Sequence, residues 1–185
     1  MTSKADRQRL LQIAREAILA HVNGASVAAV PELPRADTLR RATGAFVTIH
    51  HHGELRGCIG HLESNRSLPA VVRECAIAAC SADPRFSPVT AAELPGLDIE
   101  LSLLGPLEPI TLADEIEIGR HGLLVERDWQ RGLLLPQVAT EGRWDPETFL
   151  AQTCRKAGLP RDGWKHGAKV SRFEAEVFAE GRMGG

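Results

Sequence analysis

Apolar residues recur at two different spacings along the chain, and these spacings predict helices alternating with strands. From Ser3 to Val22 they lie three or four positions apart, which predicts a first helix. A second helix is predicted from Ser67-Leu68-Pro69, where serine caps and proline fits the first turn, to about Asp83-Pro84. Asp145-Pro146-Glu147 begins a third helix, and Lys156-Ala157-Gly158 ends it.

Between these helices the pattern predicts extended segments. The predicted strands and short extended pieces are 45–50, 55–59, 97–104, 116–118, 122–126, 133–135 and 170–180. Residues 51–54 and 127–132 join two hairpins. Residues 25–43 are predicted as a connector and 181–185 as a frayed tail. This order lacks the regular strand–helix alternation of a parallel sheet, so we expect an α+β fold with a largely antiparallel sheet flanked by helices.

Length and composition predict one globular unit over residues 1–185. The chain is 43% hydrophobic and 25% charged, which is typical of folded proteins rather than disordered ones. A net charge of −2 favours neither nucleic acid nor an anionic membrane as a partner. The amino terminus is polar, and no apolar run approaches the length of a membrane span. We therefore expect a cytoplasmic protein.

The hexapeptide Leu55-Arg56-Gly57-Cys58-Ile59-Gly60 carries the clearest candidate chemistry. Cys58 is a candidate nucleophile or binding thiol with a cation nearby, and His61 is a candidate base if the chain turns at Gly60. Backbone amides near Gly57 and Gly60 could stabilise an anion. Alternatively, Cys58 is a small strand residue packed under the first helix, and the glycines serve a bend. Both interpretations remain open from the residues alone.

Other candidate sites are weaker. Cys75, Cys80 and Cys154 show no paired spacing, which favours reduced structural thiols. The run His50-His51-His52 invites a metal interpretation, but neighbouring side chains of a strand point to opposite faces, so the run cannot chelate as a block. No metal site is predicted, and no cofactor is evident because nucleotide-binding motifs are absent from the sequence. Basic residues between Arg155 and Arg172 are best explained as a solvated face.

The hexapeptide resembles the signature of the AMMECR family. Further segments are similar in order and spacing: Asp83-Pro84-Arg85-Phe86, Glu93-Leu94-Pro95, 134–139 before Trp144-Asp145, and 156–159. The resemblance covers about residues 10–178 and implies a single AMMECR-type domain with a larger and a smaller lobe. It implies no known reaction. Family members of the AmmeMemoRadiSam system accompany Memo-like and radical-SAM proteins, which makes such proteins the expected partners.

Two functional hypotheses follow from the resemblance. Arg56, Gly57, Cys58 and Gly60 match the signature, Arg85 matches the second segment, and His61 lies outside both. In the first hypothesis, a groove lined by Arg56, Cys58 and Arg85 binds a small anionic ligand or presents a thiol to partner enzymes. In the second, the protein is a non-catalytic adaptor, and the motif is a structural turn beside a protein-binding surface.

Overall fold

The computed structural model describes residues 2–26 and 42–181. These residues form two compact units, one drawn from Met1–Leu104 with Glu176–Gly185 and the other from Gly105–Ala175. The predicted connector and tail lie largely outside the described residues. The predicted single domain over 1–185 therefore consists of two units, each described below by itself.

Four helices and seven strands make up the described fold. The helices are α1 (Lys4–Val22), α2 (Leu68–Ser81), α3 (Pro136–Glu141) and α4 (Pro146–Lys156). The strands are β1 (Gly44–His51), β2 (Glu54–His61), β3 (Leu97–Leu104), β4 (Glu108–Ile110), β5 (His121–Arg127), β6 (Gln130–Leu134) and β7 (Lys169–Ala179). Three short 3-10 helices span Ala91–Gly96, Ala113–Glu115 and Gly163–Lys165. The pairings β1–β2, β1–β3, β4–β7, β5–β6 and β5–β7 are antiparallel, which confirms the predicted α+β class.

In the first unit, helices α1 and α2 cover one face of an antiparallel sheet. Strand β1 lies between β2 and β3, and the end of β7 follows beside β3. The predicted first helix is confirmed as α1. Ser3 caps this helix by accepting a hydrogen bond from the Asp6 amide at 3.1 Å. Ser67 stands at the N-cap of α2, but its side chain does not make the predicted capping bond. The core lies between these helices and the buried face of β1 and β3.

The hexapeptide lies inside β2, which confirms the predicted strand over 55–59 and corrects the hypothesis in which the motif is a structural turn. β2 continues to His61 and pairs with β1 along its length. Ile49 stands opposite Gly57 and His50 opposite Leu55, so Arg56 is the extra residue of a β-bulge. The motif therefore bends the strand locally without ending it.

The two faces of this sheet differ in chemistry. Ile49 is fully buried on the face that packs against the helices, whereas Thr48 stands opposite Cys58 on one side and Glu100 on the other. Alternation along β1 puts Thr48, and with it Cys58, on the face away from the helices. The alternative prediction that Cys58 packs under the first helix is therefore wrong.

In the second unit, α4 packs on the β5–β6 hairpin, and β7 pairs with both β4 and β5. Asp145 caps α4 by accepting from the Thr148 amide at 2.7 Å, as predicted. The three-residue strand β4, the six-residue helix α3 and the two short 3-10 helices of this unit were not predicted. Residues 116–118 were predicted to be extended, but they form a loop that follows a 3-10 helix.

Within residues 2–26 and 42–181, no helix combines the length and the apolar character needed to cross a membrane.

Candidate functional site

Cys58 differs in environment from the other three cysteines. Cys75, Cys80 and Cys154 are at most 2% exposed, whereas Cys58 is half-buried. Burial raises the pKa of both Cys75 and Cys80 to about 11, which keeps those thiols protonated. The Cys58 Sγ accepts a hydrogen bond from the Thr48 Oγ1 at 3.2 Å. Cys58 is therefore the thiol to consider for chemistry.

The outer edge of β2 is closed at Cys58 by an ion pair from the loop after α2. The Cys58 amide donates to the Asp83 Oδ2 at 2.9 Å, and the Arg85 Nη2 approaches the Cys58 carbonyl oxygen at 3.5 Å. A carboxylate and a guanidinium thus stand where a neighbouring strand would place its own acceptor and donor. Edge strands left open invite pairing with other chains, and charged side chains are a common protection.

Asp83 and Arg85 form a tight pair. The Asp83 side chain is 2% exposed, and its two oxygens accept from the Arg85 Nε at 3.0 Å and the Nη2 at 2.7 Å. These hydrogen bonds from Arg85 hold the pKa of Asp83 far below its usual range, against the opposing effect of burial, and the Cys58 amide lowers it further. Asp83 therefore stays ionised, and the pKa of Arg85 is raised in return.

Arg56, at the bulge of β2, forms hydrogen bonds with the segment that follows the Asp83–Arg85 loop. The Arg56 Nε donates to the Glu93 Oε1 at 2.7 Å, the Nη1 to the Ser87 carbonyl at 2.8 Å, and the Nη2 to the Pro88 carbonyl at 3.3 Å. Glu93 also accepts from the amide and hydroxyl of Thr90, both at 2.8 Å. The hydrogen bond from Arg56, followed by those from Thr90, lowers the pKa of Glu93 to about 2.

Both arginines of the predicted anion site are therefore paired with carboxylates. Their guanidinium carbons also lie near the same ring, since the Phe86 centroid is 5.9 Å from the Arg56 Cζ and 5.3 Å from the Arg85 Cζ. These contacts describe a structural role for the two cations. Their predicted role in binding an anion remains a prediction.

The two glycines of the motif allow close packing. A Cβ at Gly57 would lie 2.1 Å from the Ala79 carbonyl oxygen of α2, and one at Gly60 would lie 2.3 Å from the Phe46 ring. Neither position can accept a side chain without displacing its neighbour. The glycines therefore serve the contact of β2 with its surroundings, rather than a turn.

The structure does not bring His61 to Cys58. Three positions separate them on one strand, so their side chains point to opposite faces. The His61 Nε2 instead lies 3.7 Å from the Glu74 Oε1 on α2. The role of His61 as a base gains no support from this geometry.

The histidine run lies at the end of β1 and in the turn to β2. The rings of His51 and His52 are 4.1 Å apart between centroids, while His50 shares the sheet face of Thr48. In the part of the chain that the structure describes, no three His, Cys, Asp or Glu side chains are grouped so that they could hold a metal ion.

Three contributors to the site were missed at the sequence level. Asp83 was treated as a helix stop and as part of a similar segment, Glu93 only as part of a similar segment, and Thr48 only as a strand residue. For Thr48 a signal existed, because hairpin pairing across residues 51–54 places it near Cys58. The contact of Asp83 with the Cys58 amide spans 25 residues and that of Glu93 with Arg56 spans 37, and no local pattern reveals either contact.

Comparisons with known proteins place the chain in a family. The AMMECR1 family model matches residues 11–178. The chain belongs to the AMMECR1 family. The match runs through both units and includes all the site residues described above, and it brings no assigned biochemical activity. The resemblance seen in the hexapeptide is thus confirmed over most of the chain.

Individual AMMECR1-family relatives are similar over most of their length. A protein of Methanothermobacter thermautotrophicus is 45% identical over 186 residues, covering 96% of each chain. A protein of Methanocaldococcus jannaschii is 47% identical over 146 residues, covering 74% of this chain and 73% of its own. The crystal structure of an uncharacterized protein from Pyrococcus horikoshii is 39% identical with a TM-score of 0.83, covering 93% of this chain and 90% of that one.

Proposed function

We propose that this AMMECR1-family protein acts through Cys58, presented as a functional thiol on the outer face of β2. The observation that carries the proposal is the contrast among the four cysteines. Cys58 is half-buried beside the Thr48 hydroxyl, while the other three thiols are buried in the two cores. Accessible thiols with a hydrogen-bond donor are suited to nucleophilic or binding roles.

The geometry favours a thiol that binds or exchanges a covalent partner over one that drives acyl transfer. Acyl transfer needs a base beside the thiol and amide donors for the oxyanion. The Cys58 amide is used by Asp83, and His61 points to the other face of β2. A reversible thiol adduct with a small ligand needs neither group. An anionic ligand remains part of this proposal, since the Arg85 side chain is 53% exposed.

We also propose that the thiol serves Memo-like and radical-SAM partners of an AmmeMemoRadiSam system. This proposal rests on the family membership and on the expectation, stated above, that family members of this system accompany such proteins. A free functional thiol requires a reducing compartment, and a cytoplasmic location would provide one.

Alkylation against pH tests the thiol proposal. The folded protein is treated with iodoacetamide between pH 5 and pH 10, and labelled sites are identified by mass spectrometry. We expect one rapidly labelled residue, Cys58, with a labelling rate that rises with pH as the thiolate forms. The three buried cysteines provide an internal control, because they should react only after unfolding. Labelling of Cys58 only in denaturant would refute the proposal.

A second candidate function, the non-catalytic adaptor, is favoured by a different observation. Arg56, Gly57, Gly60 and Arg85 all make contacts that stabilise β2 and its flanking loop. A purely structural motif would leave partner binding independent of the thiol. Purified Memo-like and radical-SAM proteins from the same organism should then bind the wild type and Cys58→Ser equally well. Loss of binding in Cys58→Ser alone would favour the thiol.

A further inference from the structure

We propose that Thr48 is a positioning residue that stabilises the thiolate of Cys58 through its hydroxyl. This inference rests on the proposed function of Cys58 and assigns its sulfur a specific hydrogen-bond donor. The Thr48 Oγ1 lies 3.2 Å from the Cys58 Sγ, and this contact joins the central strand β1 to the edge strand β2.

The pairing of the two strands explains why these side chains meet. The Cys58 amide points away from β1 to Asp83, so Cys58 and Thr48 face each other as a pair without hydrogen bonds between their backbones. Side chains of such pairs lie closer together than those of hydrogen-bonded pairs. Threonine is also restricted about χ1, which limits the directions that its hydroxyl can take. The sheet therefore holds the donor beside the sulfur.

A hydroxyl donor distinguishes the two protonation states of the sulfur. A thiolate is a stronger acceptor than a neutral thiol, so a hydrogen bond from Thr48 stabilises the reactive form. The hydroxyl carries no charge and does not titrate in the range of interest. Its effect should therefore be seen as a shift of the thiol's titration along the pH axis.

Charged groups around Cys58 largely compensate one another. Asp83 and Arg85 face it from the loop after α2, and both are paired. Arg56, two positions earlier on β2, is paired with Glu93.

His50 on β1 shares the sheet face of Cys58. On β3, Asp98 stands opposite His50, and Glu100 stands opposite Thr48. Among these neighbours, the Thr48 hydroxyl is an uncharged donor in direct contact with the sulfur.

The experiment compares wild type with Thr48→Val, which replaces the hydroxyl by a methyl group of similar size, and with Thr48→Ser, which retains it. The rate of Cys58 alkylation by neutral iodoacetamide is measured from pH 5 to pH 10. We expect Thr48→Val to raise the midpoint by about one pH unit, the usual effect of one hydrogen bond to a charged group. Thr48→Ser should retain the wild-type midpoint.

The plateau rates provide a second measurement. Nucleophilicity rises with thiol pKa, so Thr48→Val should react about threefold faster than wild type above both midpoints. Below both midpoints it should react about three- to fourfold more slowly. A purely structural role for Thr48 would change accessibility and move all rates in one direction. Circular dichroism and the unreacted buried cysteines confirm that each variant is folded.

The outcomes separate this inference from the proposed function. If folded wild-type protein is not alkylated at Cys58, the thiol proposal fails, and the inference falls with it. If Cys58 is alkylated and the profiles of wild type and Thr48→Val coincide, the inference alone is wrong. A shift in Thr48→Ser equal to that in Thr48→Val would also overturn it. Should Thr48→Val not fold, Thr48→Ala is titrated instead through thiolate ultraviolet absorbance.

Discussion

Each of the two hairpins of the molecule leaves one strand at an edge of its sheet, and the two edges are protected in different ways. β1–β2 in the first unit and β5–β6 in the second each end in an outer strand, and each turn includes a residue with positive φ, His52 or Asp128. In both outer strands a glycine lets a helix come close. A Cβ at Gly57 would lie 2.1 Å from the Ala79 carbonyl oxygen, and one at Gly132 would lie 2.3 Å from the Ala157 amide nitrogen.

The difference lies in how the edges are closed. β6 is covered by the end of α4, and the Gln130 side-chain amide donates to the Gly158 carbonyl at 2.7 Å. β2 uses the buried Asp83 carboxylate and the Arg85 guanidinium instead. Most of the hexapeptide is therefore accounted for by the closure of an edge strand. Cys58 is the motif residue whose side chain this account leaves unexplained, which is why it carries the functional proposal.

The largest effect is expected from removal of Arg85. Arg85→Ala leaves the Asp83 carboxylate, which is 2% exposed, without its charged partner, and the loss of its hydrogen bonds to this charged group should cost about 3 kcal/mol. Urea unfolding would measure the loss. The matched control in the other hairpin is Arg131→Ala, whose exposed pair with Glu126 should contribute less than about 1 kcal/mol. Equal losses in the two variants would contradict the proposed closure of β2.

Glycine replacement tests what the two hairpins share. Gly57→Ala and Gly132→Ala each place a methyl group within contact of a backbone atom that cannot move aside. We expect each to destabilise the protein by about 1–3 kcal/mol, as overpacking does, measured by urea unfolding. If one is tolerated and the other is not, close approach of a helix is not the common reason for these glycines.

Prediction from the sequence succeeded where the determining signal is local. Helix α4 has its cap, proline and terminal glycine within a single stretch, and the alternation in β3 predicts its bounds of Leu97–Leu104. For the hexapeptide, the strand over 55–59 was predicted, but its glycines were assigned to a turn, because their contacts with the Ala79 carbonyl and the Phe46 ring are tertiary. The ion pair of Arg56 with Glu93 spans 37 residues, so the sequence predicted that cation without its partner. The partner of Arg85 is only two residues away, but the contact of their loop with Cys58 is not local.

Acidification should affect the two units at different pH values. His121 in the second unit is 7% exposed, and its Nδ1 accepts from the Glu117 amide at 2.9 Å. Burial, reinforced by Arg172 and Arg120, lowers its pKa below 6.5, so the unfolded chain binds a proton that the folded chain does not. Stability should therefore fall as pH drops through about 6.5, by at most about 1.4 kcal/mol per pH unit.

Glu93 in the first unit also loses its contribution on acidification, but at a lower pH. Its pKa falls from 4.5 to about 2 on folding, so its contribution is complete above pH 4.5 and is lost only towards pH 2. Urea midpoints measured between pH 7 and pH 5 should decline in wild type and be nearly flat in His121→Gln. A decline of the same slope in the variant would assign the effect to another group.

The smallest effect is expected at the tip of the β5–β6 hairpin. The Trp129 side chain is 89% exposed beside Asp128, so Trp129→Ala should change the unfolding free energy by less than about 0.5 kcal/mol. Trp144→Ala is the control in the same unit, because that ring lies 6.3 Å from the Phe149 ring at the core and its loss should cost more than about 1 kcal/mol. Urea unfolding measures both variants. A cost at Trp129 equal to that at Trp144 would mean that the tip packs on the protein in solution. A negligible cost would mean that this hairpin is stabilised at the edge covered by α4 and not at its tip. This is the difference from β1–β2 described above.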